Sequence, residues 1–396
     1  MRLIGTPGVG EGGARRPSRL GRRAVARGAA ILGVLAATAI AGIAGFGPVA
    51  AASAPEVVWR VISDNATLVP ATLARDHVYT AGETAAEAWT RDGALAWRTP
   101  LAAPAHFRPR VADGRLVAVG RDGLAVLDAS DGAVLWAATP RAAFGAPFVH
   151  DGRLVLGDGS DVVAFALADG RPLWRYTVSG AAKVHYAPTA IGDTVYLGAG
   201  DGLLTALDAA TGAVRWTVDR GDLWQYLRQL APTADGRVLV AGGYKDELFG
   251  LDPADGRILW RHRAGNFINS QLVHDGRVFF WSPTGWMVAL DARSGRRLWR
   301  TRTHRFGHDG AADWSMVLAA PRAGPARLWV LDMAAVLHGL DLEDGAEVAT
   351  VVLPFPARPF VTPLADRAGD VIVGSLGGEL ARLRVPDLAP AASAAR

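Results

Sequence analysis

The chain has 396 residues, half of them hydrophobic, and no cysteine. Disulfides, thiolate catalysis, cysteine-bound zinc and a lipid-modified N-terminal cysteine are therefore excluded. The net charge of +4 comes from the leader, because residues 55–396 hold 35 basic and 37 acidic groups. This balance gives no argument for nucleic-acid binding.

Residues 1–54 have the composition of an export signal. Six arginines at positions 15–27 precede an apolar run at 29–47, and small residues follow. This order is typical of a secretory signal peptide, and 19 apolar residues are also long enough to span a bilayer. We predict a cleaved signal peptide or a retained anchor, with a buried core helix as the remaining interpretation. The rest of the chain would then be secreted, or tethered to the cytoplasmic membrane by residues 24–47.

A repeat of about 40 residues dominates the remainder of the chain. A glycine followed four residues later by tryptophan occurs six times, with Trp-to-Trp spacings of 39, 38, 42, 44 and 39 residues. The pairs are Gly93/Trp97, Gly132/Trp136, Gly170/Trp174, Gly212/Trp216, Gly256/Trp260 and Gly295/Trp299. This period with β-type composition predicts radial repeats, as in a propeller.

The sequence pattern of each repeat predicts four short antiparallel strands. In residues 188–217, strands are expected at 194–197, 203–207 and 213–217, with an apolar segment near Pro188 as the fourth. Asp208 is expected to accept hydrogen bonds from the backbone of the following turn. Gly212 is expected at positive φ, and Trp216 is expected to cover the neighbouring blade.

The repeats predict an all-β, eight-bladed propeller of four-stranded antiparallel blades, with seven blades as the fallback. A seventh unit ends at 341–349, where Ala349 stands in place of the tryptophan, and an eighth lacks an outer strand. Residues 56–60 resemble an outer strand without a blade, so we predict that this N-terminal strand pairs with the C-terminal blade and closes the ring. The propeller would occupy residues 55–385 and a disordered tail residues 386–396. The tryptophans assigned a structural role are Trp59, Trp97, Trp136, Trp174, Trp216, Trp260 and Trp299.

The run A-x-D-x-x-T-G-x-x-x-W resembles the repeat of pyrroloquinoline-quinone (PQQ) type β-propellers. Ala206, Asp208, Thr211, Gly212 and Trp216 match it fully, and most other copies match at the Asp, Gly and Trp. The resemblance covers residues 56–385. The family includes quinone-dependent alcohol and glucose dehydrogenases, and non-enzymatic BamB-like members, which are nearest in size to this chain.

The chain departs from both kinds of member. The alcohol dehydrogenases are longer and commonly carry a vicinal Cys pair against the quinone, a calcium-bound Glu and Asn, and an Asp base. The absence of cysteine excludes that pair, and no Asp, Glu and Asn set maps onto the calcium site. BamB is anchored through a lipidated Cys, which is also missing here. The resemblance therefore implies the fold and leaves the activity open.

Four connections between a repeat tryptophan and the next blade are rich in aromatic and polar residues, at 182–186, 222–229, 266–271 and 304–315. They occupy the same topological place, so we expect them to cluster on one face near the channel mouth. The candidate binding face comprises His185, Trp224, Tyr226, Arg228, Asn266, Asn269, Gln271 and Trp314. The alternative is that these residues only pack the loops and line the channel.

These patterns favour a non-catalytic extracytoplasmic propeller that serves as a protein-interaction or scaffolding module of the cell envelope. We predict no catalytic or metal-ligating set, no cofactor, a monomer, an envelope protein of unknown identity as partner, and membrane contact only through the N-terminal segment. One alternative is a PQQ-dependent oxidoreductase with a divergent site and calcium. Another is a ligand- or carbohydrate-binding propeller with aromatic loops that stack on sugar.

Overall fold

The structure is a computed structural model that describes most of one compact unit, Pro48–Arg396. The described residues are 55–63, 71–74, 76–179, 183–184, 187–200, 202–219, 229–242, 247–264, 271–282, 286–302, 316–319, 326–331, 335–353, 357–363, 370–375 and 378–384. In these ranges the chain forms strands, turns and irregular connections. The described residues contain no helix that could cross a membrane. The strands form eight four-stranded antiparallel sheets.

The first strand of the chain, β1 (Glu56–Ile62), belongs to the last blade, and blades 1 to 4 follow it consecutively. Blade 1 contains β2 (Thr72–Ala74), β3 (His77–Ala81), β4 (Ala85–Thr90) and β5 (Leu95–Pro100). Blade 2 contains β6 (Arg110–Ala112), β7 (Arg115–Val119), β8 (Leu124–Asp128) and β9 (Val134–Ala138). Blade 3 contains β10 (Ala143–His150), β11 (Arg153–Asp158), β12 (Asp161–Ala166) and β13 (Pro172–Thr177). Blade 4 contains β14 (Thr189–Ile191), β15 (Thr194–Gly198), β16 (Leu203–Asp208) and β17 (Val214–Asp219).

The remaining blades keep the same order, except that the last one borrows its outer strand. Blade 5 contains β18 (Gln229–Pro232), β19 (Leu239–Gly242), β20 (Glu247–Leu251) and β21 (Ile258–Arg263). Blade 6 contains β22 (Gln271–His274), β23 (Arg277–Ser282), β24 (Trp286–Asp291) and β25 (Arg297–Arg302). Blade 7 contains β26 (Met316–Ala319), β27 (Arg327–Leu331), β28 (Val336–Asp341) and β29 (Glu347–Val352). Blade 8 contains β30 (Ala357–Pro363), β31 (Asp370–Ser375), β32 (Glu379–Arg384) and β1.

The predicted closure is confirmed. Strand β1 pairs antiparallel with β32, so that Glu56 lies opposite Arg384 and Ile62 opposite Glu379. The count of eight blades is confirmed, and the seven-blade fallback is wrong. Closure gives β32 a partner, which an open sheet would leave as an unpaired edge.

The hydrophobic core lies between the blades. Eight clusters of buried residues fill the described parts of the junctions, one at each, and the cluster between blades 8 and 1 includes Ile372 and Val78. Because each blade is covered on both sides, a middle strand such as β15 is buried along its whole length. The outer strand β17 is exposed at alternate positions instead. The apolar β-branched runs of the middle strands are therefore typical of strands that are buried on both faces between blades.

Strand direction defines two faces of the ring. The hairpins between first and second strands and the turns between third and fourth strands lie on one side, which we call the turn face. Backbone hydrogen bonds join these turns within a blade, as from Ala129 N to Gly114 O (2.9 Å) and from Ala292 N to Gly276 O (2.8 Å). The connections from one blade to the next lie on the opposite side, which we call the connection face.

Candidate interaction face and blade junctions

The repeated tryptophans make the same contact at seven junctions. Each indole N–H donates to a backbone carbonyl in the third-to-fourth-strand turn of the next blade, at 2.6 to 3.3 Å. Trp97 donates to Ala129 O, for example, and Trp174 to Ala209 O. The donors are Trp59, Trp97, Trp136, Trp174, Trp216, Trp260 and Trp299. These indoles are committed to packing between blades and are poorly placed to bind a ligand.

The glycine of each repeat receives the indole of the preceding blade. Gly212 has a φ of 72°, and a Cβ there would lie 2.7 Å from the Trp174 ring. Gly132 has a φ of 77°, and its Cβ would lie 2.5 Å from the Trp97 ring. The position therefore requires glycine for its backbone conformation and for the close approach of the indole.

Ala349 replaces the tryptophan of blade 7 because its neighbour offers no turn. The outer strand of blade 8 is β1, so no third-to-fourth-strand turn exists there to accept an indole N–H. Trp329 of the second strand lies over Gly339 instead and reaches the buried Ala349. The exception in the repeat is thus a direct consequence of how the ring closes.

The candidate binding face is only partly visible in the described residues. His185, Trp224, Tyr226, Arg228, Asn266, Asn269 and Trp314 lie outside them. Gln271 is the first residue of β22, and its Nε2 donates to Val240 O of blade 5 at 3.3 Å. Gln271 therefore links the innermost strand of blade 6 to the second strand of blade 5, and its role as a binding residue stays a prediction.

One cavity of about 320 Å³ opens on the connection face between blades 1 and 2. Alanine and glycine dominate its wall, because the connection after blade 1 packs closely on the turn between β7 and β8. A Cβ at Gly123 would lie 2.3 Å from the Cβ of Ala103. The cavity is lined by Leu101, Ala102, Ala103, Ala105, Ala118, Gly120, Asp122, Gly123, Leu124, Ala125, Ala137, Ala138 and Thr139.

A second cavity of about 620 Å³ lies on the turn face between blades 4 and 5. Its charged groups are already paired, since Arg215 contacts both Asp193 (2.7 Å) and Asp208 (2.8 Å). The hydrogen bonds from Arg215 and Thr211 hold the pKa of Asp208 far below its ordinary value. This cavity is a salt-bridged groove built around the Trp216 junction.

The described residues contain no cluster of metal-ligating side chains. No group of three or more His, Asp or Glu side chains within them is arranged to hold a metal ion. The absence of a cofactor therefore stays a prediction. The His and Asp residues of the connection at 304–315, which are His304, His308, Asp309 and Asp313, lie outside the described ranges.

Sequence reasoning missed two basic residues on the connection face. Arg108 and Arg110 stand at the start of the innermost strand of blade 2, and both are exposed. The two closely spaced arginines are visible in the segment Phe107-Arg108-Pro109-Arg110. This connection was not selected because the selected connections were those rich in aromatic and polar residues.

Comparison with known proteins identifies the family. Residues 45–143, 116–219 and 200–381 match the family described as "Outer membrane protein assembly factor BamB". The chain belongs to the BamB-like family of PQQ-type β-propellers. The overlapping matches extend over nearly the whole ring of this BamB-like chain.

Individual relatives are distant. BamB of Moranella endobia is 24% identical over 299 residues, covering 73% of this chain and 64% of that protein. BamB of Yersinia pestis is 27% identical over 281 residues, covering 65% of this chain and 67% of that protein. The alignment thus spans somewhat less than two thirds of the Moranella protein.

Solved structures show the same fold. BamB from Moraxella catarrhalis superposes with a TM-score of 0.62 at 19% identity, covering 86% of this chain and 100% of that one. A quinohemoprotein alcohol dehydrogenase from Pseudomonas putida gives a TM-score of 0.61 at 12% identity, covering 85% and 78%. At these identities the likeness concerns architecture alone, and this architecture is shared by BamB and by an alcohol dehydrogenase.

Proposed function

We propose that this chain is a non-catalytic extracytoplasmic scaffold that binds an envelope protein involved in outer-membrane protein assembly. The proposal rests on the family match, which runs through residues 45–381 and so covers nearly the whole ring. The leader at 1–54 supports an extracytoplasmic location. We propose that the protein is either secreted or tethered to the cytoplasmic membrane by residues 24–47. We further propose that the protein acts as a monomer.

The ring architecture supports a binding role on the connection face. The turn face is occupied by paired side chains, such as Arg277 with Glu343 (2.7 Å) and Arg293 with Asp235 (2.8 Å). The connection face carries the exposed alanine-lined cavity and the exposed Arg108 and Arg110. The connections between blades vary in sequence while the strands repeat, and such loops commonly carry the binding function of a repeat fold.

The test is site-specific photo-crosslinking in the bacterial envelope. A photoreactive amino acid replaces Arg121, exposed on the connection face, or Arg171, exposed on the turn face as the matched control. We expect position 121 to crosslink to an outer-membrane assembly protein identified by mass spectrometry, and position 171 to give none. No specific adduct at 121, or equal adducts at both positions, would contradict the proposal.

The alternatives are separated by direct assays of the same purified protein. Dye reduction that depends on added PQQ and calcium would establish the oxidoreductase, and specific capture on a glycan array would establish the carbohydrate-binding propeller. No contact among the described residues favours either alternative, so both stay predictions from the sequence.

A further inference from the structure

The innermost strands, which line the channel, contain basic residues and no acidic ones. The innermost strands β2, β6, β10, β14, β18, β22, β26 and β30 contain no Asp or Glu. Their charged or titratable residues are Arg110, His150, His274 and Arg358. A concave wall with charges of one sign concentrates counter-ions of the other sign.

Arg110 belongs to this basic wall, and Arg108 lies two residues before it in the connection from blade 1. The Nε of Arg108 donates to the Oγ1 of Thr72 at 3.3 Å, which places Arg108 against the inner strand of blade 1. The same Thr72 hydroxyl donates to Pro109 O, so the junction of the two inner strands is tied together. Arg110 stands at the first position of β6, on the channel side of blade 2.

No carboxylate of the described residues neutralises either guanidinium. Among the described residues, no Asp or Glu forms an ion pair with Arg108 or Arg110, and the only hydrogen bond from either side chain is the one to Thr72. Both side chains remain open to water, yet protein atoms surround Arg108 on several sides, as expected in a channel. This crowding, together with the like charge of Arg110, lowers the pKa of Arg108.

Holding two like charges together in a concave site without a counter-charge is unfavourable, and a bound anion would remove that repulsion. A guanidinium presents its N–H groups in a fork that fits the two oxygens of a carboxylate or phosphate. We propose that Arg108 and Arg110 form an anion-binding site at the connection-face mouth of the channel, with Thr72 positioning the Arg108 guanidinium. Its ligand carries carboxylate or phosphate groups, either as a small molecule or as the acidic side chains of a polypeptide. The site stands independently of the scaffold role proposed above.

Isothermal titration calorimetry at low ionic strength tests the site with three probes: inorganic phosphate, citrate and a hexaglutamate peptide. We expect the wild-type protein to bind at least one of them, more weakly as salt is added. The double variant R108Q/R110Q is expected to lose at least about tenfold in affinity. R171Q removes an exposed arginine on the turn face and is expected to leave binding unchanged.

The source of the anion follows from which probe binds. Phosphate or citrate binding indicates a small-molecule ligand, whereas hexaglutamate binding alone indicates an acidic polypeptide segment. The R108K/R110K variant keeps both positive charges and is expected to retain part of the affinity. Retained binding would show that substitution at these two positions does not by itself unfold the protein. Failure of all three probes to bind the wild type, or unchanged binding by R108Q/R110Q, overturns the proposal.

Discussion

At the scale of single residues, the glycine that receives each indole is the most constrained position in the repeat. Gly212 combines a φ of 72° with an indole 2.7 Å from its missing Cβ, while Gly152 has a φ of 67° and open space around it. The two positions share the backbone requirement and differ only in packing. A comparison of the two positions therefore separates the cost of a positive φ from the cost of displacing the indole.

We expect Gly212→Ala to destabilise the protein by about 3 kcal/mol, because a methyl group at positive φ must also displace the Trp174 ring. Gly152→Ala, the matched control, should cost about 1 kcal/mol, since only the backbone is strained. Urea unfolding followed by tryptophan fluorescence measures both variants. Equal losses would show that the indole contact contributes nothing beyond backbone conformation.

The carboxylates of the turns predict the response to acid. Hydrogen bonds from Thr233, from the backbone of Arg237 and from Arg293 lower the pKa of Asp235 to about 2. The pKa of Asp208 lies below its ordinary value as well, chiefly because Arg215 donates to it. In the unfolded chain both groups would titrate near 4, so between about pH 4 and 2 the unfolded state binds more protons. Their contribution to stability is present above pH 4 and is lost as the pH falls through the folded pKa.

We expect the urea midpoint to fall between pH 5 and pH 2, and to fall less in the D208N/D235N variant. Asp122→Asn, exposed on the connection face, is the control and should follow the wild type. Unfolding curves at several pH values provide the measurement. A double variant with the full wild-type pH dependence would mean that other carboxylates control the acid response.

At the scale of elements, the closing blade contains a buried ion pair. Arg382 of β32 is 1% exposed, and Asp370 of β31 is fully buried. The Nε of Arg382 donates to Asp370 at 2.8 Å, and its NH1 donates to Arg91 O of blade 1 at 3.0 Å. Trp59 donates to the same carbonyl at 2.6 Å. Two strands from opposite ends of the chain thus anchor on one atom of blade 1.

We expect Asp370→Asn to cost about 3–5 kcal/mol, because Arg382 would be left buried without its counter-charge. Glu379→Gln removes the more exposed pair with Arg60 in the same blade and should cost at most about 1 kcal/mol. Thermal melting of the two variants provides the comparison. A stable Asp370→Asn protein would show that Arg91 O alone suffices to hold Arg382.

At the scale of the whole molecule, β1 determines whether the ring is complete. It supplies the outer strand of blade 8, and Ser63 beyond its end donates to the buried Glu87 of blade 1 at 2.5 Å. Glu87 also accepts from Thr80 and from Trp89, each at 3.2 Å. This network joins blade 8 to blade 1 at the end of β1, while Trp59 joins them at the turn face.

We expect a chain that begins at residue 64 to melt at a lower temperature and to self-associate, because β32 would expose an unpaired edge and the Trp59 junction would be missing. A chain that begins at residue 55 is the control and should behave as an intact monomeric ring. Melting curves and size-exclusion chromatography distinguish the two, and a synthetic peptide of residues 55–63 should restore the shorter chain. Equal melting temperatures would mean that β1 is dispensable for closure.

The sequence by itself determined the repeat, its period, the eight blades and the closing strand. These properties are local, because each copy carries its own turn aspartate, its glycine at positive φ and its alternating apolar residues. The replacement of the tryptophan by Ala349 was also visible in the sequence, although its reason was not.

Only the tertiary structure decided which side chains meet across the junctions. Arg382 and Arg91 are 291 positions apart and touch only because the ring closes. Likewise, Arg108 meets Thr72 of the preceding blade, and Gln271 meets the backbone of blade 5. Repeat periodicity places residues within a blade, but their partners depend on how neighbouring blades pack. For that reason the architecture of the ring was predictable, while the contacts at the channel mouth were not.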